Sequence, residues 1–132
     1  MSIHTEIEAL QPIVLDCDHA LTYVGGDPEL LVQLCYNFLN ELPVCVEQMQ
    51  RLMAGRDDHR AGRALLQLQS CIVIFGAGHA SRTAEQLKLA LRERSFRPAR
   101  REWSCLQLQL RDLVPQVQRL ILEMATPRTA VQ

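Results

Sequence analysis

The sequence predicts an all-α protein: an antiparallel up-and-down four-helix bundle with a short extra N-terminal helix. Four long segments repeat apolar residues at steps of three and four, which lines those residues up on one side of a helix. Short breaks separate the segments, and no segment alternates apolar and polar residues as a half-buried strand would. Amphipathic helices joined by short connections bury their apolar stripes against one another, which favours a bundle.

The chain is long enough for one domain with a proper core and too short for two, at 132 residues. We predict a single domain over residues 1–132, with a core at about 15–124 and a loose tail at 125–132. The formal net charge of −1 gives no basic excess for nucleic acid. No apolar run reaches the roughly 20 residues of a membrane span, and the acidic, polar first residues do not resemble a secretory signal. We therefore expect neither a nucleic acid nor a membrane as partner.

Two short helical segments are predicted before the first long helix. Residues 5–10 can form one turn of helix, which Pro12 ends. Residues 16–24 form the short extra helix, and Gly25 and Gly26 stop it.

The first long helix is predicted to begin just after Asp27. This residue is a candidate N-cap, and Pro28 suits the first helical position. The helix continues to about Met53, and we expect Pro43 to kink it rather than break it. Its apolar stripe consists of Leu31, Leu34, Cys35, Phe38, Leu42, Val46, Met49 and Leu52.

The second long helix begins at about Arg60, after Asp57 as a candidate cap, and ends near Gly76. At about 100° per residue, Leu66 points roughly 170° away from the centre of the apolar stripe. We therefore expect this leucine to face water in the middle of the helix. The stripe itself consists of Ala61, Ala64, Leu65, Leu68, Cys71, Ile72 and Phe75.

The third and fourth long helices are separated by a basic connector at residues 92–101, in which Pro98 is expected to open the last helix. Pro115 lies off the stripe of that helix and is expected to bend it. The stripe of the third helix is Ala80, Ala84, Leu87 and Leu91. The stripe of the fourth is Ala99, Trp103, Leu106, Leu110, Leu113, Val117, Leu120 and Met124.

Five cysteines are scattered singly, without a C-x-x-C pair. An odd number without framework spacing favours reduced thiols over a disulfide scaffold, and hence a cytoplasmic protein. We expect no metal site and no cofactor. The cysteines are Cys17, Cys35, Cys45, Cys71 and Cys105.

The segment LQLQSCIVIFGA at residues 66–77 resembles the signature helix of histidine phosphotransfer (HPt) domains, His-x-Leu-Lys-Gly-Ser-x-x-x-Leu/Ile-Gly-Ala. Leu68, Gly76 and Ala77 match this pattern. The resemblance extends to residues 15–42, which are similar to the opening short helix, Gly-Gly-Asp break and long second helix of the family. It implies an HPt-like bundle.

Three residues depart from the family pattern at the positions that carry its chemistry. Leu66 stands at the phosphoacceptor histidine, Gln69 at the lysine and Ser70 at the glycine. Leucine has no nucleophilic atom, glutamine brings no positive charge, and serine adds bulk. The resemblance therefore implies a degenerate HPt domain that has no catalytic residue and is not an enzyme.

The outward side of the second long helix is a candidate docking surface. Leu66 and Val73 lie seven residues apart and form an apolar ridge, which polar side chains surround. In HPt domains this side meets receiver domains of response regulators or histidine kinases, so the resemblance implies such partners. We call the predicted partner-binding residues the Leu66 face: His59, Gly62, Arg63, Leu66, Gln67, Gln69, Ser70 and Val73.

Two alternatives remain open at the level of sequence. A displaced histidine could accept the phosphoryl group, and His59 is the best placed, two helical turns before Leu66. His19 and His79 are, like His59, expected to face solvent. The protein could instead self-associate, with the Leu66 face as a homodimer contact and no signalling partner.

Overall fold

The computed structural model describes residues 15–125, which are all-α, with five helices and no strand in that range. This confirms the prediction of an all-α protein. The predicted turn at 5–10 and the tail beyond Ala125 lie outside the described residues. Ala125, which we had assigned to the tail, is the last residue of the last helix. The helices are α1 (Cys17–Tyr23), α2 (Pro28–Ala54), α3 (Asp58–Ile74), α4 (Gly78–Arg92) and α5 (Phe96–Ala125).

Helix α2 begins as the sequence predicts. The Asp27 side chain accepts hydrogen bonds from the backbone N–H groups of Glu29, at 3.0 Å, and Leu30, at 3.4 Å. These N–H groups have no partner within the helix, so the aspartate satisfies them and fixes the start of α2. The helix continues through Pro43 to Ala54, as expected for an apolar stripe of this length.

Helix α3 begins two residues earlier than predicted, because Asp57 caps it by accepting a hydrogen bond from the Arg60 N–H at 3.2 Å. After Ile74 the chain reverses at Gly76, whose φ of +62° is a conformation that favours glycine. Helix α4 follows from Gly78. The short turn brings α3 and α4 side by side.

Helix α5 begins at Phe96, so the predicted start at Pro98 was wrong and the connector is only residues 93–95. The Arg56 guanidinium lies over the Phe96 ring, 3.8 Å from its centroid, and holds the start of α5 against the α2–α3 loop. Pro98 then falls in the first turn, where its missing N–H has no helical partner to lose. The basic residues after Arg94 are therefore helical.

Each long helix packs against two others: α2 against α3 and α5, and α4 against α3 and α5. The core lies between them, and at one point the rings of Phe38 and Phe75 meet edge to face, 5.1 Å apart. The predicted stripes are confirmed, because all their members are buried except a group that is half-buried at the edge of the core. That group is Leu34, Val46, Leu52, Ala64, Cys71 and Met124.

Helix α1 closes one side of the molecule against the C-terminal end of α3. The Asp16 N–H donates to the Phe75 carbonyl at 3.0 Å, and the His19 ring nitrogen Nε2 lies 2.9 Å from the Val73 carbonyl oxygen. A side chain on Gly76 would place its Cβ 3.0 Å from the His19 ring. His19 is exposed, as predicted, and its ring is in addition bonded to α3.

Candidate docking surface

Neighbouring leucines on α3 have opposite environments. Leu65 and Leu68 are buried in the core, whereas Leu66 is 53% exposed and Val73, two turns further on, is 46% exposed. One residue step turns the helix by about 100°, which is enough to carry a side chain out of the core. The predicted outward direction of Leu66 is confirmed.

Gln69 points sideways toward α4. Its amide Nε2 donates a hydrogen bond to the Glu85 carboxylate at 2.9 Å. This bond, with the Lys88 ammonium 3.4 Å from the other carboxylate oxygen, holds the pKa of Glu85 below its usual value. Gln69 is therefore tied to an ionised carboxylate on the neighbouring helix.

Ser70 turns back onto its own helix. Its hydroxyl donates to the Gln67 carbonyl oxygen at 2.7 Å. The side chain thus stays low, as expected, but its donor is already used within α3. Ser70 therefore offers a partner its hydroxyl oxygen as an acceptor rather than a free donor.

A groove of about 430 Å³ runs between α3 and the second half of α4. Four residues of the Leu66 face line it on the α3 side, and α4 with the residues that follow it supplies the other wall. The α3–α4 groove is lined by Asp58, His59, Gly62, Arg63, Leu66, Lys88, Leu91, Arg92 and Arg94.

The α4 wall of this groove was not predicted from the sequence. Arg92 and Arg94 belong to the predicted basic connector at residues 92–101. Lys88 and Arg92 are four residues apart on α4 and therefore share one side of it, a signal that the sequence already contained. Which neighbour that side would face depends on tertiary packing.

The Leu66 face extends over more than one groove. Gln67 lies on the opposite flank of α3, in a second groove that it shares with Gln48 and Leu52 of α2, while Arg63 borders both grooves. Gln69, Ser70 and Val73 lie further toward the C-terminal end of α3. The structure therefore brings together only His59, Gly62, Arg63 and Leu66 around one concave site.

The three histidines of the described residues differ in their surroundings. His19 is bonded to α3, and Nδ1 of His79, which is half-buried, accepts a hydrogen bond from Arg82 at 2.9 Å. His59 is exposed and has no hydrogen-bond partner within residues 15–125. The solvent-facing prediction is therefore confirmed for His19 and His59, whereas His79 is half-buried.

Comparisons with protein-family models, with curated proteins and with solved structures find no match to this chain. From Leu15 to Ala125, no helix has the length and apolar character of a membrane span. Over the same residues, no three His, Cys, Asp or Glu side chains are grouped so that they could hold a metal ion.

Proposed function

We propose that this protein is a non-catalytic binding module of two-component signalling, an antiparallel up-and-down four-helix bundle of the HPt type. It docks through the Leu66 face on a receiver domain or a histidine kinase and does not carry phosphate. Because it occupies a partner's surface without transferring a group, it acts as an inhibitor, a competitor or an adaptor.

The helix contacts support this bundle. Each long helix touches two others in the cycle α2–α3–α4–α5, as expected when four antiparallel helices surround one core. The stacking of Arg56 on Phe96 brings the α2–α3 loop beside the start of α5. Leu15, at the start of the described chain, donates its N–H to the Gln116 side chain of α5 at 2.7 Å.

The observation that carries the proposed activity is the exposure of Leu66 at the position of the phosphoacceptor in the HPt pattern. A phosphohistidine relay needs an accessible imidazole there, and a hydrocarbon side chain cannot take part in phosphoryl transfer. An exposed leucine beside a groove can instead be buried by a partner, which contributes binding free energy.

The experiment that tests the proposal uses purified receiver domains and kinases from the same cell. We expect at least one of them to bind the immobilised protein, while phosphorylated receivers and autophosphorylated kinases transfer no acid-labile phosphate to it. Stoichiometric phosphohistidine would contradict the absence of transfer. If no receiver or kinase binds, the choice of partner is wrong.

A working phosphotransfer protein with a displaced histidine is the second candidate, because His59 is exposed and shares the α3–α4 groove with Leu66. The groove also holds cationic side chains that could balance a phosphoryl group. This candidate predicts acid-labile phosphate that is lost in His59→Gln and kept in His19→Gln. The self-association alternative predicts a dimer in sedimentation that Leu66→Asp dissociates.

A further inference from the structure

The α3–α4 groove combines an apolar floor with a cationic rim. Leu66 and Leu91 come from facing helices, and Gly62 between them has open space where a side chain would stand. Four cationic side chains, one carboxylate and His59 complete the lining, which gives the groove a marked positive excess in a chain whose formal net charge is −1. The cations are Arg63, Lys88, Arg92 and Arg94, and the carboxylate is Asp58.

The rim cations are only partly neutralised by the protein itself. Lys88 pairs with Glu85 at 3.4 Å on the surface. Arg63, Arg92 and Arg94 form no ion pair with any carboxylate in residues 15–125. Two other surface ion pairs, Arg51 with Glu47 and Arg60 with Asp57, include no residue that lines the groove. Arg92 acts on Glu85 through its charge, which helps to lower the pKa of that carboxyl, but it forms no ion pair with it. Three guanidinium groups around one groove thus keep their planar donors available for carboxylates.

The lining also indicates the kind of partner. None of its residues is a phenylalanine, tyrosine or tryptophan on which a nucleic-acid base could stack. Leu91 is buried at the bottom of the groove and Leu66, which is 53% exposed, lines its side, so a single apolar side chain can enter the groove and contact Leu66 more easily than a flat bilayer can. An acidic stretch of polypeptide with an apolar residue supplies both the carboxylates and the anchor.

We propose that the α3–α4 groove binds an acidic segment of the partner protein, with an apolar side chain against Leu66 and carboxylates on Arg63, Arg92 and Arg94. The inference rests on the proposed function and adds to it the chemistry of the partner. Opposite charges also raise the association rate, so binding weakens as ionic strength rises.

The test uses the whole protein and a fluorescently labelled peptide probe. The probe has a design length of 14 residues, about four helical turns, with Leu at every third or fourth position and Asp or Glu elsewhere. Fluorescence anisotropy gives the affinity, and amide resonances of the isotope-labelled protein locate the site. We expect shifts at Gly62, Leu66 and Leu91, and no binding of the same probe with Lys in place of each acid. Raising NaCl from 20 to 300 mM is expected to weaken binding at least about tenfold.

Charge reversal separates this groove from general attraction to cations. The double variant Arg63→Glu with Arg92→Glu is expected to lower the affinity for the probe at least about tenfold. The matched control, Arg111→Glu with Arg119→Glu on α5, makes the same change in net charge at exposed positions outside the groove and is expected to leave binding within about twofold. Circular dichroism checks that both double variants keep their helical content.

Three outcomes would overturn the inference. In the first, the acidic probe binds with no shifts in the groove, or not at all. In the second, both double variants weaken it equally. In the third, vesicles of phosphatidylglycerol or a single-stranded oligonucleotide bind the groove as tightly as the probe. The proposed function fails separately, when receivers and kinases do not bind the wild type, whatever the probe does.

Discussion

The two sides of α3 compare directly, because the chain places the same residue type on both. Leu65 and Leu68 are surrounded by the core, and Leu66 between them is half exposed beside a cationic groove. Hydrophobicity alone therefore does not say what a leucine does in this helix. Its angle around the helix axis decides whether it stabilises the fold or remains available to a partner.

The largest effect is expected when the buried side of α3 is truncated. Leu68→Ala removes a side chain that is 1% exposed and leaves a cavity in the core. We expect the free energy of unfolding to fall by about 2–5 kcal/mol, measured by urea titration. Leu66→Ala is the matched control and is expected to change it by no more than about 0.5 kcal/mol. Equal losses in the two variants would contradict the orientation of α3.

The second effect concerns Cys35, a fully buried residue of α2. Burial first, and the nearby Cys17 second, raise the pKa of its thiol from 9.0 to about 11. The folded state holds this proton more tightly than the unfolded chain, so this contribution to stability is complete below pH 9.0 and is lost as the pH rises through about 11.

At pH 8, the thiolate population of Cys35 is expected to be about a hundredfold lower in the folded protein than in the unfolded chain. Iodoacetamide should therefore label Cys35 slowly in buffer and much faster in urea, as peptide mass spectrometry would measure. Cys35→Ser identifies the peptide. Equally fast labelling in both conditions would contradict the burial of this thiol.

The third effect tests the outward side. Leu66→Asp places a charge where a partner must remove water from it, so binding to a receiver or kinase should weaken by at least about 2 kcal/mol, roughly thirtyfold. Leu66→Lys should cost less if the partner is acidic. Isothermal titration calorimetry measures the affinity of both variants for the partner. The control is Gln118→Asp, at an exposed position of α5. If Leu66→Asp bound the partner as tightly as the wild type does, the docking surface would lie elsewhere on the protein.

The smallest effect is expected from restoring the histidine alone. Leu66→His should give almost no phosphoryl transfer, because Ser70 adds bulk and Gln69 supplies no charge. Combining it with Gln69→Lys and Ser70→Gly should raise the yield of acid-labile phosphate, although a lysine at 69 would meet the Glu85 carboxylate that Gln69 now contacts. If the single change performs as well as the triple, the flanking residues do not matter.

Much of the fold could be predicted because it depends on local signals. Asp27 and Asp57 cap their helices through amides two or three residues away, and the apolar stripes report burial directly. The start of α5 could not be predicted in this way. At this start Phe96 contacts Arg56, a residue 40 positions earlier in the chain, and no local pattern indicates that contact.

The candidate site, too, has one part that the sequence predicts and another that depends on how the helices pack. The exposure of Leu66 follows from the periodicity of one helix, so sequence sufficed. The α4 wall of the groove, including Lys88 and Arg92, needed the packing of two helices, and so did the separation of Gln67 onto the other flank. The bond between His19 and the Val73 carbonyl joins residues 54 positions apart and has no local signature.

The glycine at 76 has a consequence for the motions of this protein. Helix α1 has only seven residues, too few to be stable alone, and it is held where Gly76 leaves room for the His19 ring. Its amides should exchange with solvent deuterium through a local opening that leaves the long helices intact. Each such opening would separate the His19 ring from the Val73 carbonyl and briefly expose more of the C-terminal end of α3 to solvent. The opening rate of α1 would thus determine how often the C-terminal end of α3 is exposed to solvent.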